Sequence, residues 1–233
     1  MKQPKVIFLD AVGTLFGIRG TVGEIYSAIA ANSGVESSPQ LLDLAFYQSF
    51  KNAPPLAFSG VDTLAVMDLE YHWWKTLAQE TFSQVELLDK FRDFDVFFRE
   101  LYDHFSTASP WFVYEDVFSS LNHWQKQGIA LGIISNFDSR IYEVLDLLGL
   151  THFFSTITIS STTGAAKPDS KIFKVALEKH DCKPDQSWHI GDSLKEDYEG
   201  AKSVGLQAFL LQRNPATPHG KQVINTFEDL ITL

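Results

Sequence analysis

Five short apolar runs, at residues 6–9, 129–134, 156–159, 187–190 and 207–211, constrain this chain more than any other feature. Each is too short for a helix, and after the first each is parted from the next by a stretch of helical periodicity. The clearest such stretch, residues 141–149, repeats apolar residues at helical spacing and ends on the glycine stop Gly149; residues 172–177 and 198–204 follow the same pattern. Strands that alternate with helices pair in parallel, because a parallel neighbour is reached only through a crossover. The expected fold class is therefore α/β, with a parallel sheet whose ligand site lies beyond the carboxyl ends of its strands.

Residues 17–108 break that rhythm. Helical stretches at 22–32, 41–52, 64–82 and 88–105 succeed one another with no convincing strand between them. A chain of 233 residues suits one domain carrying a large insertion. The expected division is a core of residues 1–16 and 109–233 and a helical insertion at 17–108. Pro54 and Pro55 lack amide donors and mark a helix break. Trp73 and Trp74 point about 100° apart on a helix, so one is expected to pack inside the insertion and the other against the core, with substrate contact as the alternative.

Polar signatures follow the strands. Val6-Ile7-Phe8-Leu9 delivers Asp10 into the turn Ala11-Val12-Gly13-Thr14, which suits a carboxylate nucleophile on a rigid support, or a turn-forming aspartate. Ser135-Asn136 follows the second run, Lys167-Pro168 opens the helical stretch 169–180, and Gly191-Asp192-Ser193 with Asp197 follows the fourth run. In isolation Ser-Asn reads as a turn and Lys-Pro as a solvated lysine. In this order, and across essentially the whole chain, the signatures resemble the four motifs of the haloacid dehalogenase-like (HAD) hydrolase superfamily. Residues 19–26, 54–58, 73–74, 135–140 and 164–168 further resemble the branch called hydrolase domain-containing protein 3, or rhythmically-expressed-gene-two-like.

The resemblance implies a Rossmann-like core with an inserted helical cap of the C1 type that closes over the site and excludes water. It also implies Mg²⁺ and a small phosphorylated substrate. Asp10 would attack phosphorus, Ser135 and Asn136 would hold phosphoryl oxygens, and Lys167 would neutralise charge. Asp10, Asp192 and the backbone carbonyl of Val12 would be the metal ligands, a role that does not depend on the side chain at position 12. The family pattern places the second acid at Asp197, where it would orient Lys167. Glu196 then reads as solvated surface, and Asp138 as the N-cap of a helix starting near Arg140, or alternatively as a substitute acid.

Val12 departs from the phosphatase pattern. There the residue two beyond the nucleophile is an aspartate that protonates the leaving oxygen and then activates water, work worth about 10² to 10⁴ in rate. Valine can do neither. Dehalogenases resembling this chain carry a tyrosine at that position and lack the metal acids, which Asp192 argues against. Phosphonate-cleaving relatives carry an alanine and recruit a cap lysine, for which Lys51 and Lys75 are available, though each reads more simply as a solvated helix residue. The expected activity is that of a phosphatase weak toward poor leaving groups. The alternative is a non-catalytic protein that retains the anion pocket for binding.

Nineteen basic against twenty-nine acidic residues, a net charge of −10, argue against nucleic acid or an anionic membrane as the partner. The single cysteine, Cys182, excludes an internal disulfide and a thiolate zinc cluster. With no signal-like N-terminal segment and no apolar run of about 18 residues, a soluble cytoplasmic protein is expected.

Overall fold

Strand β1 (Val6–Leu9) is buried along its whole length, and its side chains alternate between two apolar layers. Ile7 and Leu9 pack with Leu121, Trp124 and Ile141 on one face of the sheet, while Val6 and Phe8 pack with Ile172, Phe173 and Ala176 on the other. Helices on both faces of a parallel sheet explain why its strands read as unbroken apolar runs. The computed structural model describes residues 3–213 and 222–231, so parts of the expected core at 1–2, 214–221 and 232–233 lie outside the described residues.

After β1 come β2 (Phe16–Ile18), α1 (Val22–Asn32), α2 (Pro39–Asn52), α3 (Thr63–Gln84), α4 (Phe94–His104), β3 (Trp111–Val113) and α5 (Val117–Lys126). The chain continues through β4 (Ala130–Ser135), α6 (Ile141–Leu147), β5 (Thr156–Ile159), α7 (Ser160–Thr163) and α8 (Ser170–Lys179). It closes with β6 (Ser187–Gly191), α9 (Gly200–Ser203), β7 (Gln207–Leu211), β8 (Val223–Ile224) and α10 (Glu228–Ile231). Six strands form one Rossmann-like parallel sheet in the order β5-β4-β1-β6-β7-β8. All five apolar runs are strands of this sheet. The sixth, β8, has only two residues and leaves no periodic signal.

The helices α1–α4 are inserted through an antiparallel ribbon in which Phe16 pairs with Val113 and Ile18 with Trp111. Their apolar residues, among them Val22, Tyr26, Phe46, Phe82 and Phe98, make a separate cluster. Helix α1 starts on a capping box between Thr21 and Glu24, and α2 stops at Asn52, just before Pro54 and Pro55. The expected single helix at 88–105 is instead a 3-10 turn, Leu88–Lys90, followed by α4. Asp93 causes the break by accepting from the amides of Asp95 and Val96, which caps a new helix. Among the described residues no helix is long and apolar enough to cross a membrane.

Candidate active site

Asp10 is the first residue past β1, where its amide donates to Ile190 O at 2.9 Å and its side chain is buried. Two glycines let other acids crowd around it. Gly13 turns the chain with φ +83°, and a Cβ there would lie 2.3 Å from Asp192 Oδ2. A Cβ on Gly191 would lie 2.2 Å from Asp197 Cγ. Ligand oxygens of Asp10, Asp192 and Asp197 consequently fall within 4.8 Å of one another, although they come from two separate turns.

One cation sits among them. Lys167 Nζ donates to Asp10 Oδ1 and to Asp197 Oδ1, each at 2.6 Å, and only 4% of the residue is exposed. Asp197 is held from two further directions, by His189 Nε2 at 2.9 Å and by the amide of Ser193 at 3.0 Å. The Asn136 side chain brackets the Lys167 peptide, accepting from its amide at 2.7 Å and donating to its carbonyl at 3.0 Å. The side-chain amide of Asn136 is thus engaged in positioning Lys167 and is not free for phosphoryl oxygens. Ser135 ends β4 two residues beyond Ile133, the partner of Leu9, and is buried at the same end of the sheet.

The electrostatics follow from burial and crowding. Burial raises the Asp10 carboxyl, and Lys167 only partly offsets it. Asp192, whose outer edge is open to solvent, is pushed up to about 7 by burial in the cleft and by the charges of Asp10 and Asp197. Burial also works against the Asp197 anion, but Lys167 and His189 more than compensate and hold that carboxyl well below the usual range. Three carboxylates facing one ammonium leave negative charge uncompensated, and the all-oxygen donor set of Asp10 and Asp192 fits a hard divalent cation. Asp197 fits less well, because its oxygens already have partners.

His189 was not legible as a site residue. It is fully buried in the middle of β6, and its only sequence signal is the strand period of two, which places it on the same face as Gly191. Glu196 is exposed as expected, yet it reaches back over the site and accepts from Asn136 Nδ2 at 3.2 Å.

Asp138 is not the N-cap of α6 that the sequence suggested: that position is Arg140, which makes no side-chain capping bond, because the Asp138 carboxylate turns back onto Arg140 itself. Asp138 is fully buried, and besides the Arg140 amide it takes Arg140 Nε at 2.9 Å, Arg140 Nη2 at 2.7 Å and Trp74 Nε1 at 2.7 Å. Glu70 of α3 similarly accepts from the amide and hydroxyl of Ser139, at 3.0 and 2.9 Å. These bonds tie the inserted helices to the loop after β4. Trp73 donates to Pro54 O inside the insertion, so the adjacent tryptophans divide as their helical angle predicts. Trp74 also lines a cavity of about 230 Å³ between the insertion and the sheet, with Val12 and Asn136 among its lining residues.

Residues 4–205 match the family described as haloacid dehalogenase-like hydrolase. Haloacid dehalogenase-like hydrolase domain-containing protein 3 of Bos taurus is 34% identical over 209 residues, covering 90% of this chain and 82% of the relative. The rhythmically expressed gene 2 protein of Drosophila melanogaster is 28% identical over 218 residues, covering 89% of this chain and 82% of the relative. A solved structure of a HAD phosphatase from Thermococcus onnurineus shares the fold, with a TM-score of 0.66 at 21% identity over 98% of this chain and 96% of that one.

Proposed function

Because the chain belongs to the haloacid dehalogenase-like hydrolase family, we propose that it is a Mg²⁺-dependent phosphatase of small phosphorylated molecules, working through an aspartyl-phosphate at Asp10. The observation that carries this reading is the buried Asp10–Lys167 pair at 2.6 Å, beside a further acid of the same cluster, Asp192, which forms no ion pair among the described residues.

In the first step an Asp10 oxygen bonds to phosphorus and the ester oxygen departs with the bonding electrons; in the second, water attacks the same phosphorus and frees phosphate and Asp10. Lys167, fixed between Asp10 and Asp197, keeps positive charge beside the attacking carboxylate throughout. The Ser135 hydroxyl and the backbone N–H of Asn136 hold phosphoryl oxygens. Mg²⁺ held by Asp10, Asp192 and the Val12 carbonyl would supply the charge that lets two anions meet.

Val12 cannot give the leaving oxygen a proton. Nor can Asp138 replace it, since both its oxygens are engaged by Arg140 and Trp74. Activated esters are therefore the favoured substrates. A lysine-dependent phosphonate route finds no support: Lys75 pairs with Asp95 at 2.6 Å, Lys51 is exposed, and neither lines the cavity. The second reading, a non-catalytic phosphate-binding protein, draws on Val12 alone. A panel of phosphate esters assayed with Mg²⁺ beside Asp10→Asn separates the two. Turnover lost in Asp10→Asn supports the phosphatase; if no ester is hydrolysed faster by the wild type than by Asp10→Asn, the enzyme reading fails.

A further inference from the structure

The space that opens beyond Val12 is an aromatic box. Phe46 and Phe50 of α2, Trp74 of α3, Phe98 and Tyr102 of α4, and Trp111 of β3 form its walls, with Val12 and Asn136 at the sheet side. Val12, two residues beyond Asp10, and Asn136, which holds the Lys167 peptide, both line it, so it is the space open to a leaving group on a phosphorus at Asp10. Beyond the tyrosine hydroxyls and the Asn136 amide, the indole N–H groups of Trp74 and Trp111 are spent on Asp138 and Phe105 O, which leaves Arg140 as the charged group, and among the described residues no carboxylate or lysine lines the space.

Arg140 is not available to a second anion. Its Nε and Nη2 donate to Asp138, its Nη1 donates to Tyr102 O at 3.1 Å, and its guanidinium carbon lies 3.8 Å from the Tyr102 ring centroid. A sugar or nucleotide leaving group would carry hydroxyls into this box without enough partners, a loss of roughly tenfold or more for each one left unpaired. At about 230 Å³ the cavity exceeds the roughly 150 Å³ that takes a benzene ring in an apolar core, and so has room for one ring with a short substituent. Tyr47 and Phe50 carry the apolar lining outward along α2 to exposed Leu44 and Leu41, so the approach is apolar as well.

We propose, resting on the phosphatase reading above, that the substrates are monophosphate esters of an aryl or enol-type hydroxyl on a compact apolar body. Two independent features converge on that class. The walls select an apolar ring, and a phenolate or enolate departs without the proton that Val12 cannot supply.

The test is a series of phenyl, 4-methylphenyl, 4-ethylphenyl and 4-propylphenyl phosphates, whose leaving groups differ little in acidity, run with Mg²⁺ beside acetyl phosphate and glucose 6-phosphate. The expected result is a rise in kcat/KM of about fourfold per added carbon until the cavity is full, with glucose 6-phosphate slowest. Phe50→Ala should flatten the rise. Binding of the product series, phenol to 4-propylphenol, is followed separately by calorimetry and by Trp74 fluorescence, with the same increment per carbon expected. If acetyl phosphate is hydrolysed through Asp10 but the aryl series is flat or glucose 6-phosphate is faster, this proposal falls and the phosphatase reading stands. If no ester is turned over yet affinity climbs from phenol to 4-propylphenol, the phosphatase reading falls and the apolar ligand class stands. Flat binding with no turnover overturns both.

Discussion

The carboxylate of Asp192 occupies the space that a side chain on Gly13 would need: a Cβ there would approach Asp192 Oδ2 to 2.3 Å. The turn that presents Asp10 is thus shaped by the second acid. Gly13→Ala adds the cost of φ +83° for an L residue to that overlap, and a stability loss of about 1–3 kcal/mol is expected. Displacement of Asp192 should also weaken Mg²⁺ binding at least tenfold. Thermal unfolding with and without Mg²⁺ measures both effects, and an unchanged Mg²⁺ stabilisation in Gly13→Ala would exclude Asp192 from the metal set.

Asp138 joins the core to the inserted helices through Arg140 and Trp74, and its side chain is wholly buried. Asp138→Ala leaves the mostly buried Arg140 guanidinium without its carboxylate, so a destabilisation of about 3–5 kcal/mol is expected in urea unfolding. Asp138→Asn keeps the shape and tests the chemistry. A large drop in kcat in Asp138→Asn, with altered pH dependence and intact stability, would make Asp138 the missing acid after all.

The parallel sheet was readable because its strands are buried on both faces, which writes each as an unbroken apolar run. The β2–β3 ribbon was not, because three-residue strands such as Phe16–Ile18 are shorter than any periodic signal. The break before α4 was hidden because Phe91, Phe94, Phe97 and Phe98 continue a helical spacing straight through it, leaving Asp93 as the sole clue. Asp10, Lys167 and Asp197 were singled out from ordered motifs, and in the structure Lys167 bridges the two acids. The pairings of Glu70 with Ser139 and of Trp74 with Asp138 span 69 and 64 residues, and no local pattern links such positions.

His180 gives the fold a pH dependence away from the acids. It contacts Thr156 Oγ1 at 2.6 Å, stacks edge-on to Phe8, and fits where Gly132 leaves room. Burial, aided by Lys179, lowers its imidazole below the ordinary 6.5, and burial lowers His104 likewise. At these two histidines the unfolded chain binds more protons between the folded value and about 6.5, so their contribution to stability is complete above about pH 6.5 and is lost as pH falls through the folded value. The raised carboxyls of Asp10 and Asp192 act with the opposite sign in both wild type and variant. Urea titrations across that interval should show a shallower decline in His180→Gln than in wild type, His104 retaining its share. Equal slopes would remove His180 from the account.

Val12 lines the aromatic cavity and is half-buried, so an aspartate placed there would be desolvated and its pKa raised, which favours the protonated form that a general acid needs. Val12→Asp should therefore increase kcat on unactivated alkyl phosphates by about 10²-fold or more, toward the 10² to 10⁴ that such a group contributes. The same change puts a polar group into the apolar wall, so the preference along the alkylphenyl series should shrink while the alkyl esters gain. Those opposite movements distinguish restored acid catalysis from general loosening of the site, which would depress both. Folded Val12→Asp with no gain on alkyl phosphates would move the limitation from position 12 to the closure of the inserted helices over Asp10, where Asp138, Arg140 and Trp74 meet.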